Sequence, residues 1–208
     1  MLVAIDGPAG AGKSTIARAL AAELGYGYLD SGAMYRCVGL LSLRAPGESA
    51  AQLASAAVIE LDGARVALDG EDVSEEIRTP AVSSAASRVA ADTGVRSALV
   101  AKQRTLISSG DWVVEGRDIA SVVAPEAQVK VFLTAAPDER ARRRAVETGA
   151  DAAATLAEQE QRDERDSTRA HSPLRAARGA IVLDSTGVSV AEVVASIAAL
   201  ARAAAAAG

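Results

Sequence analysis

Gly7-Pro8-Ala9-Gly10-Ala11-Gly12-Lys13-Ser14-Thr15 is the stretch whose residue types and spacing promise the most specific chemistry, because it fits the pattern G-x-x-x-x-G-K-[ST] of a phosphate-binding loop. Glycines at such a turn let successive backbone N–H groups converge on phosphate oxygens, and a helix opening near Lys13 adds the positive end of its dipole. Lys13 has the length to reach the β- and γ-phosphates of a nucleoside triphosphate such as ATP, and the Ser14 hydroxyl can ligate Mg2+. A glycine-rich turn of purely structural purpose has no use for the lysine. Of the 22 Lys and Arg residues, 19 are Arg and 3 are Lys, so a lysine in this loop is not incidental surface charge.

Motors, switches, transporters and small-molecule kinases all use such a loop, and the arginines discriminate among them. Joining two polyanions in a dry site needs several fixed positive charges, which Arg supplies with a planar fork that binds phosphate bidentately. Arg36 follows Asp30-Ser31-Gly32 on the first turn of a helix expected to begin at Ala33, Arg96 lies further along, and Arg117 sits in Glu115-Gly116-Arg117-Asp118 directly after a strand-like run. Arg162, Arg165, Asp166 and Arg169 fall on one helical face at i, i+3, i+4 and i+7. Taken alone, that face also fits a solvated helix laced with surface ion pairs. For Arg140, Arg142, Arg143 and Arg144 a solvated face and a contact with the triphosphate stay equally open. Cys37 reads as a small packed residue, Trp112 reads as a core anchor, and a single His with a single Cys excludes a His/Cys metal cluster.

These groups need a scaffold that gathers loop ends. The apolar run 2–6 ends at the glycine turn, and Ile16, Ala17, Leu20 and Leu24 follow at helical spacing. A second extended stretch at 25–29 precedes Met34, Val38 and Leu41 on one helical face, and short β-branched runs recur at 112–114, 129–133 and 180–183. Five strands alternating with helices predict a parallel, three-layer α/β sheet, whose ligands lie at the carboxyl ends of the strands. Pro137-Asp138-Glu139 opens a helix, and Ser189 with Glu192 forms a capping box ahead of the last one. Residues 59–94 break the rhythm with a predicted hairpin, 59–61 and 65–68 around Asp62-Gly63, and a short helix near 80–90. Such an insertion is a natural substrate-binding lobe.

The chain has 208 residues and a formal net charge of −5 from 27 acidic against 22 basic residues, enough for one core and a small insert. That balance gives no electrostatic footprint for a nucleic-acid backbone, and five aromatics offer few rings for base stacking. One cysteine cannot form an internal disulfide, and no apolar run is expected to reach the roughly 18 residues of a membrane span. The expectation is a cytoplasmic protein with neither nucleic-acid nor membrane partners.

The segments AIDGPAGAGKST, LDSGAMYR, LDGEDVSEEIR, EGRDIASVV, VFLTA, RDERDSTRA and VLDSTG, in this order, make the sequence resemble bacterial cytidylate kinases over essentially its whole length. The resemblance implies a P-loop NTPase fold with five parallel strands, a core of 1–58 and 95–208, a nucleoside-monophosphate insert of about 59–94 and a lid of about 145–169. It implies a monomer that transfers the γ-phosphoryl group of ATP to CMP or dCMP with Mg2+. Carried over by matching positions, Ser87, Arg96 and Asp118 read the cytosine edge, Arg36, Arg117 and Arg169 clamp the CMP phosphate, and Asp166 and Arg162 hold the ribose, with Asp30 and Ser31 lining the pocket. Lys13, Arg36, Arg117, Arg162 and Arg169 carry the catalytic charge. By itself Ser87 also fits a helix-surface serine. Glu115 stands where the family has Asp, Ala120 where it has Gly, and His171 where it has an apolar residue. Two rivals stay on the table: a kinase of the same fold preferring UMP or AMP, and a slow nucleotide-hydrolysing switch.

Overall fold

Strand β1 (Leu2–Asp6) is buried from Val3 onward, as a strand covered on both faces must be. It runs parallel to β6 (Trp112–Gly116), in the register Leu2↔Trp112 to Asp6↔Gly116, and parallel to β7 (Val129–Thr134) on its other side. β8 (Ile181–Asp184) extends the sheet parallel to β7, and β2 (Gly27–Asp30) borders β6, giving the order β2-β6-β1-β7-β8. The computed structural model describes residues 1–149, 151, 153, 155–157, 159, 163 and 174–207. The five strands expected from sequence are these five, and the flanking helices make the fold the expected α/β class.

Two compact units divide the chain, Met1–Tyr28 with Gly110–Gly208, and Leu29–Ser109. In the first, helices α1 (Lys13–Leu24) and α7 (Val190–Ala207) pack on the sheet, and Ile16, Leu20, Val194 and Ile197 share one core with Val3, Ile5, Val113 and Val131. The Ser189 capping box forms as expected: Glu192 N–H donates to Ser189 Oγ at 3.3 Å, and Ser189 N–H donates to Glu192 Oε2 at 3.0 Å. One expectation is corrected here. With 18 residues α7 is long and apolar enough to cross a membrane by length and composition, yet Val193, Val194, Ile197, Ala198 and Ala201 bury one stripe of it in the core.

The second unit begins with α2 (Ser31–Arg44), followed by α3 (Ala50–Ala56) and an antiparallel sheet of β3 (Ile59–Asp62), β4 (Arg65–Leu68) and β5 (Glu71–Asp72). Helices α4 (Pro80–Val89) and α5 (Thr93–Leu106) complete it. The hairpin predicted at 59–68 is present. α2 starts at Ser31, two residues before the expected Ala33, because the Asp30 carboxylate caps it by accepting the Ala33 N–H at 2.9 Å. α2 crosses α4 at Gly39, where a Cβ would stand 2.7 Å from the Ala86 nitrogen, so only glycine permits the approach. The compact unit thus contains the expected 59–94 insert together with α2, α3 and α5.

Candidate active site

The glycine loop leaves β1 under tight constraint. Gly7 has φ +151°, and a Cβ on it would lie 2.0 Å from the Leu133 carbonyl oxygen at the end of β7. Gly12 takes φ 84° and caps α1 through its carbonyl, which accepts the Ile16 N–H at 3.0 Å. No side chain caps this helix, and no acidic residue occupies its first turn. Its leading N–H groups therefore present positive potential to whatever the loop holds. Lys13 is buried, with Nζ donating to the Pro8 carbonyl at 2.7 Å, while Ser14 and Thr15 are exposed at the helix head.

At the carboxyl end of β6, the Arg117 guanidinium donates through Nη1 to the Gly7 carbonyl at 2.9 Å, so it rests on the first glycine of the loop. Asp118 beside it is buried at the head of a short π-helical turn, Ile119–Val123. The structure thus brings together Lys13, Arg117 and Asp118 within the first unit. Glu115 is buried as well, and the Tyr28 hydroxyl donates to its Oε1 at 2.5 Å.

Asp6 was not among the expected site residues. Its two carboxylate oxygens accept the Ile119 and Ala120 N–H groups, each at 2.8 Å. Burial pushes its pKa up from 3.8 to about 6, with the Asp118 charge adding to the rise, while the two N–H bonds and Lys13 hold it down. A carboxyl whose folded pKa exceeds its unfolded one adds stability in full below the unfolded value and loses it as pH climbs through the folded one. The stability difference between wild type and Asp6→Asn is therefore expected to shrink by about 2 kcal/mol between about pH 4.5 and about pH 7.5. Denaturant midpoints across that range check it, and a difference that is flat or grows with pH would refute it.

Helix α6 (Pro137–Thr148) resolves part of the arginine cluster. Arg140 turns to the back of the loop: Nη1 donates to the Ala9 carbonyl at 3.0 Å and to Asp163 Oδ2 at 2.5 Å, and Nε donates to the Ala135 carbonyl at 3.2 Å. Arg143 donates to both the hydroxyl and the carbonyl of Ser185, at 2.9 and 2.7 Å, and to Glu139 at 2.7 Å. Arg142 pairs with the same Glu139, whose pKa the two guanidiniums pull down to about 2. Gly10, Gly12, Arg142, Arg143, Ser185 and Val190 are among the residues around a cavity of about 440 Å³ beside the loop.

In the second unit Asp30 Oδ2 accepts from Arg36 Nη2 at 2.7 Å, which holds the guanidinium beside the head of α2. Arg36 Nε and Ser87 Oγ are buried with no hydrogen-bond partner. Buried polar atoms are rarely left so, and a ligand oxygen or base edge would satisfy both. Ser87 is half-buried on α4 next to Ala86, the residue that meets Gly39, which is not the setting of a surface serine. Ser31 and Arg96 are also buried. Cys37 packs in the core, where burial pushes its thiol up to about 12 and leaves it unreactive. Arg162, Asp166 and Arg169 lie outside the described residues.

The family model for cytidylate kinase matches residues 3–203. A cytidylate kinase of Solibacter usitatus is 52% identical over 205 residues, covering 93% of this chain and 88% of its own. One from Mycobacterium leprae is 50% identical over 206 residues, covering 94% and 92%. Among solved structures, a gluconokinase of Sinorhizobium meliloti superimposes with a TM-score of 0.52 at 19% identity, covering 97% of this chain and 92% of its own, a likeness of fold.

Proposed function

The chain belongs to the cytidylate kinase family, whose reaction is ATP-dependent phosphorylation of CMP to CDP, and from that premise we propose which of its residues perform it. The observation that carries the assignment is Arg117 lying on Gly7: a guanidinium suited to an acceptor phosphate touches the first residue of the donor-phosphate loop. In-line transfer needs that adjacency. An oxygen of the CMP phosphate attacks the γ-phosphorus, the bond to the β-phosphate oxygen breaks, and ADP leaves.

Gly7, Pro8, Ala9, Gly10, Ala11, Gly12, Lys13, Ser14 and Thr15 hold the ATP phosphates, and the cavity between Arg142, Arg143 and Ser185 takes the rest of the donor. Arg36, Arg117 and Arg169 clamp the CMP phosphate, Arg162 and Asp166 hold the ribose, and Asp30 and Ser31 shape the pocket. Ser87, Arg96 and Asp118 read cytosine, whose amino donor beside two acceptors suits a carboxylate and an arginine together. Uracil reverses two of those positions and would leave buried groups unpaired. The Ser14 hydroxyl, exposed at the head of α1, suits Mg2+ shared with the triphosphate. That ion, when bound, neutralises charge on the phosphate oxygens. The same reading takes dCMP as a second acceptor and a monomer in the cytoplasm as the working form. A net charge of −5 and the burial of the α7 stripe support the absence of nucleic-acid and membrane partners.

ADP release from ATP and Mg2+, followed with CMP, dCMP, UMP, AMP and no acceptor, tests this reading. Turnover with CMP and dCMP is expected to exceed that with UMP or AMP by about 10²-fold or more. Equal rates without acceptor would leave a nucleotide hydrolase in its place.

A further inference from the structure

We infer that Asp6 is a positioning residue for the acceptor: its carboxylate clamps the two backbone N–H groups after Asp118 and thereby fixes Arg117 and Asp118 against the phosphate loop. The inference rests on the assignment of those two residues to CMP.

The head of the Ile119–Val123 turn has backbone donors that need acceptors, and the residue placed to cap it is Asp118. Asp118 does not cap it with its own side chain. The cap comes instead from β1, with Oδ1 of Asp6 on Ile119 N–H and Oδ2 on Ala120 N–H, both 2.8 Å and buried. Directly after Asp6, the Gly7 carbonyl accepts from Arg117 at 2.9 Å. Residues 6 and 7 thus grip residues 117, 119 and 120 by three hydrogen bonds, and donor loop and acceptor loop share one anchor. Asp118 and Lys13 are the charged groups that face the buried carboxylate. A side chain that only stapled a strand to a loop would set stability and leave base choice alone, whereas a clamp that aims Asp118 sets base choice.

Steady-state kinetics of Asp6→Asn and Asp6→Glu with CMP, UMP and ATP separate these roles. In Asp6→Asn an amide NH2 faces a backbone N–H, so the turn must shift. The ratio of kcat/KM for CMP over UMP is expected to fall by about tenfold or more, with KM for ATP within about twofold of wild type. Asp6→Glu keeps both acceptor oxygens on a longer arm and is expected to fall between. Asp118→Ala run alongside tests the underlying assignment. If it leaves the ratio intact, Asp118 does not read the base and the role of Asp6 falls with it. If it collapses the ratio while both Asp6 variants keep it, the clamp alone is refuted. A KM for ATP that rises as much as that for CMP, or failure of both Asp6 variants to fold, would also overturn the proposal.

Discussion

Lys13→Ala is expected to lower kcat by about 10³-fold, or about 4 kcal/mol of transition-state stabilisation, while costing the fold only about 1 kcal/mol. The asymmetry follows from what the ammonium does in each state. In the structure it donates a hydrogen bond, 2.7 Å long, to the Pro8 carbonyl inside its own loop. The loop itself is held by other means as well: Gly7 is pressed on Leu133, and Ala9 is held by Arg140. During transfer the same ammonium faces charge spread over the γ-phosphoryl oxygens, in a site where a buried cation is worth far more than in water. Only 3 lysines occur in the chain, and the others, Lys102 and Lys130, lie on α5 and β7, so no neighbour in the loop substitutes. ADP release at saturating CMP, with a denaturation midpoint for each protein, measures both halves. A variant within tenfold of wild type would remove Lys13 from the reaction.

Most of what makes this loop legible is local. Gly7 to Thr15 specify a turn and a helix head within nine residues, and the strand before them is a plain apolar run. The capping box at Ser189 and the Pro137 helix opening are equally local, and both form. Asp6 was not legible as a functional group because its partners lie more than a hundred residues away, and nothing in the spacing pairs β1 with the turn after β6. The one available signal is a carboxylate closing a strand that is otherwise apolar and buried. Arg140 and Arg143 illustrate the same limit. Four arginines on one helix are indistinguishable by sequence, yet one bonds the Ala9 carbonyl of the loop and another holds Ser185 at the cavity beside the loop. Helices α3 and α5 are not among the elements expected from sequence; Ala54 of α3 and Val95 and Leu99 of α5 share one core.

Arg117→Ala is expected to reduce kcat/KM for CMP by about 10²- to 10³-fold and to move KM for ATP by no more than about twofold. Arg117 donates to the carbonyls of Gly7 and Gly116, at 2.9 and 3.5 Å. The bond to the Gly7 carbonyl orients the guanidinium at the mouth of the phosphate loop, where it is preorganised for a dianionic phosphate. Losing it removes two charge-assisted bonds that strengthen as the acceptor oxygen approaches the γ-phosphorus, and the loss falls on the acceptor side. Arg117→Lys decides between charge and geometry. A lysine restores a point charge but neither the fork nor the double contact, so it is expected to recover only a minor part of the lost rate. Full recovery would mean that net charge alone is needed at this position. An equal rise in KM for both substrates would mean that Arg117 supports the loop through Gly7 rather than the acceptor, and would reassign the phosphate clamp to Arg36 and Arg169.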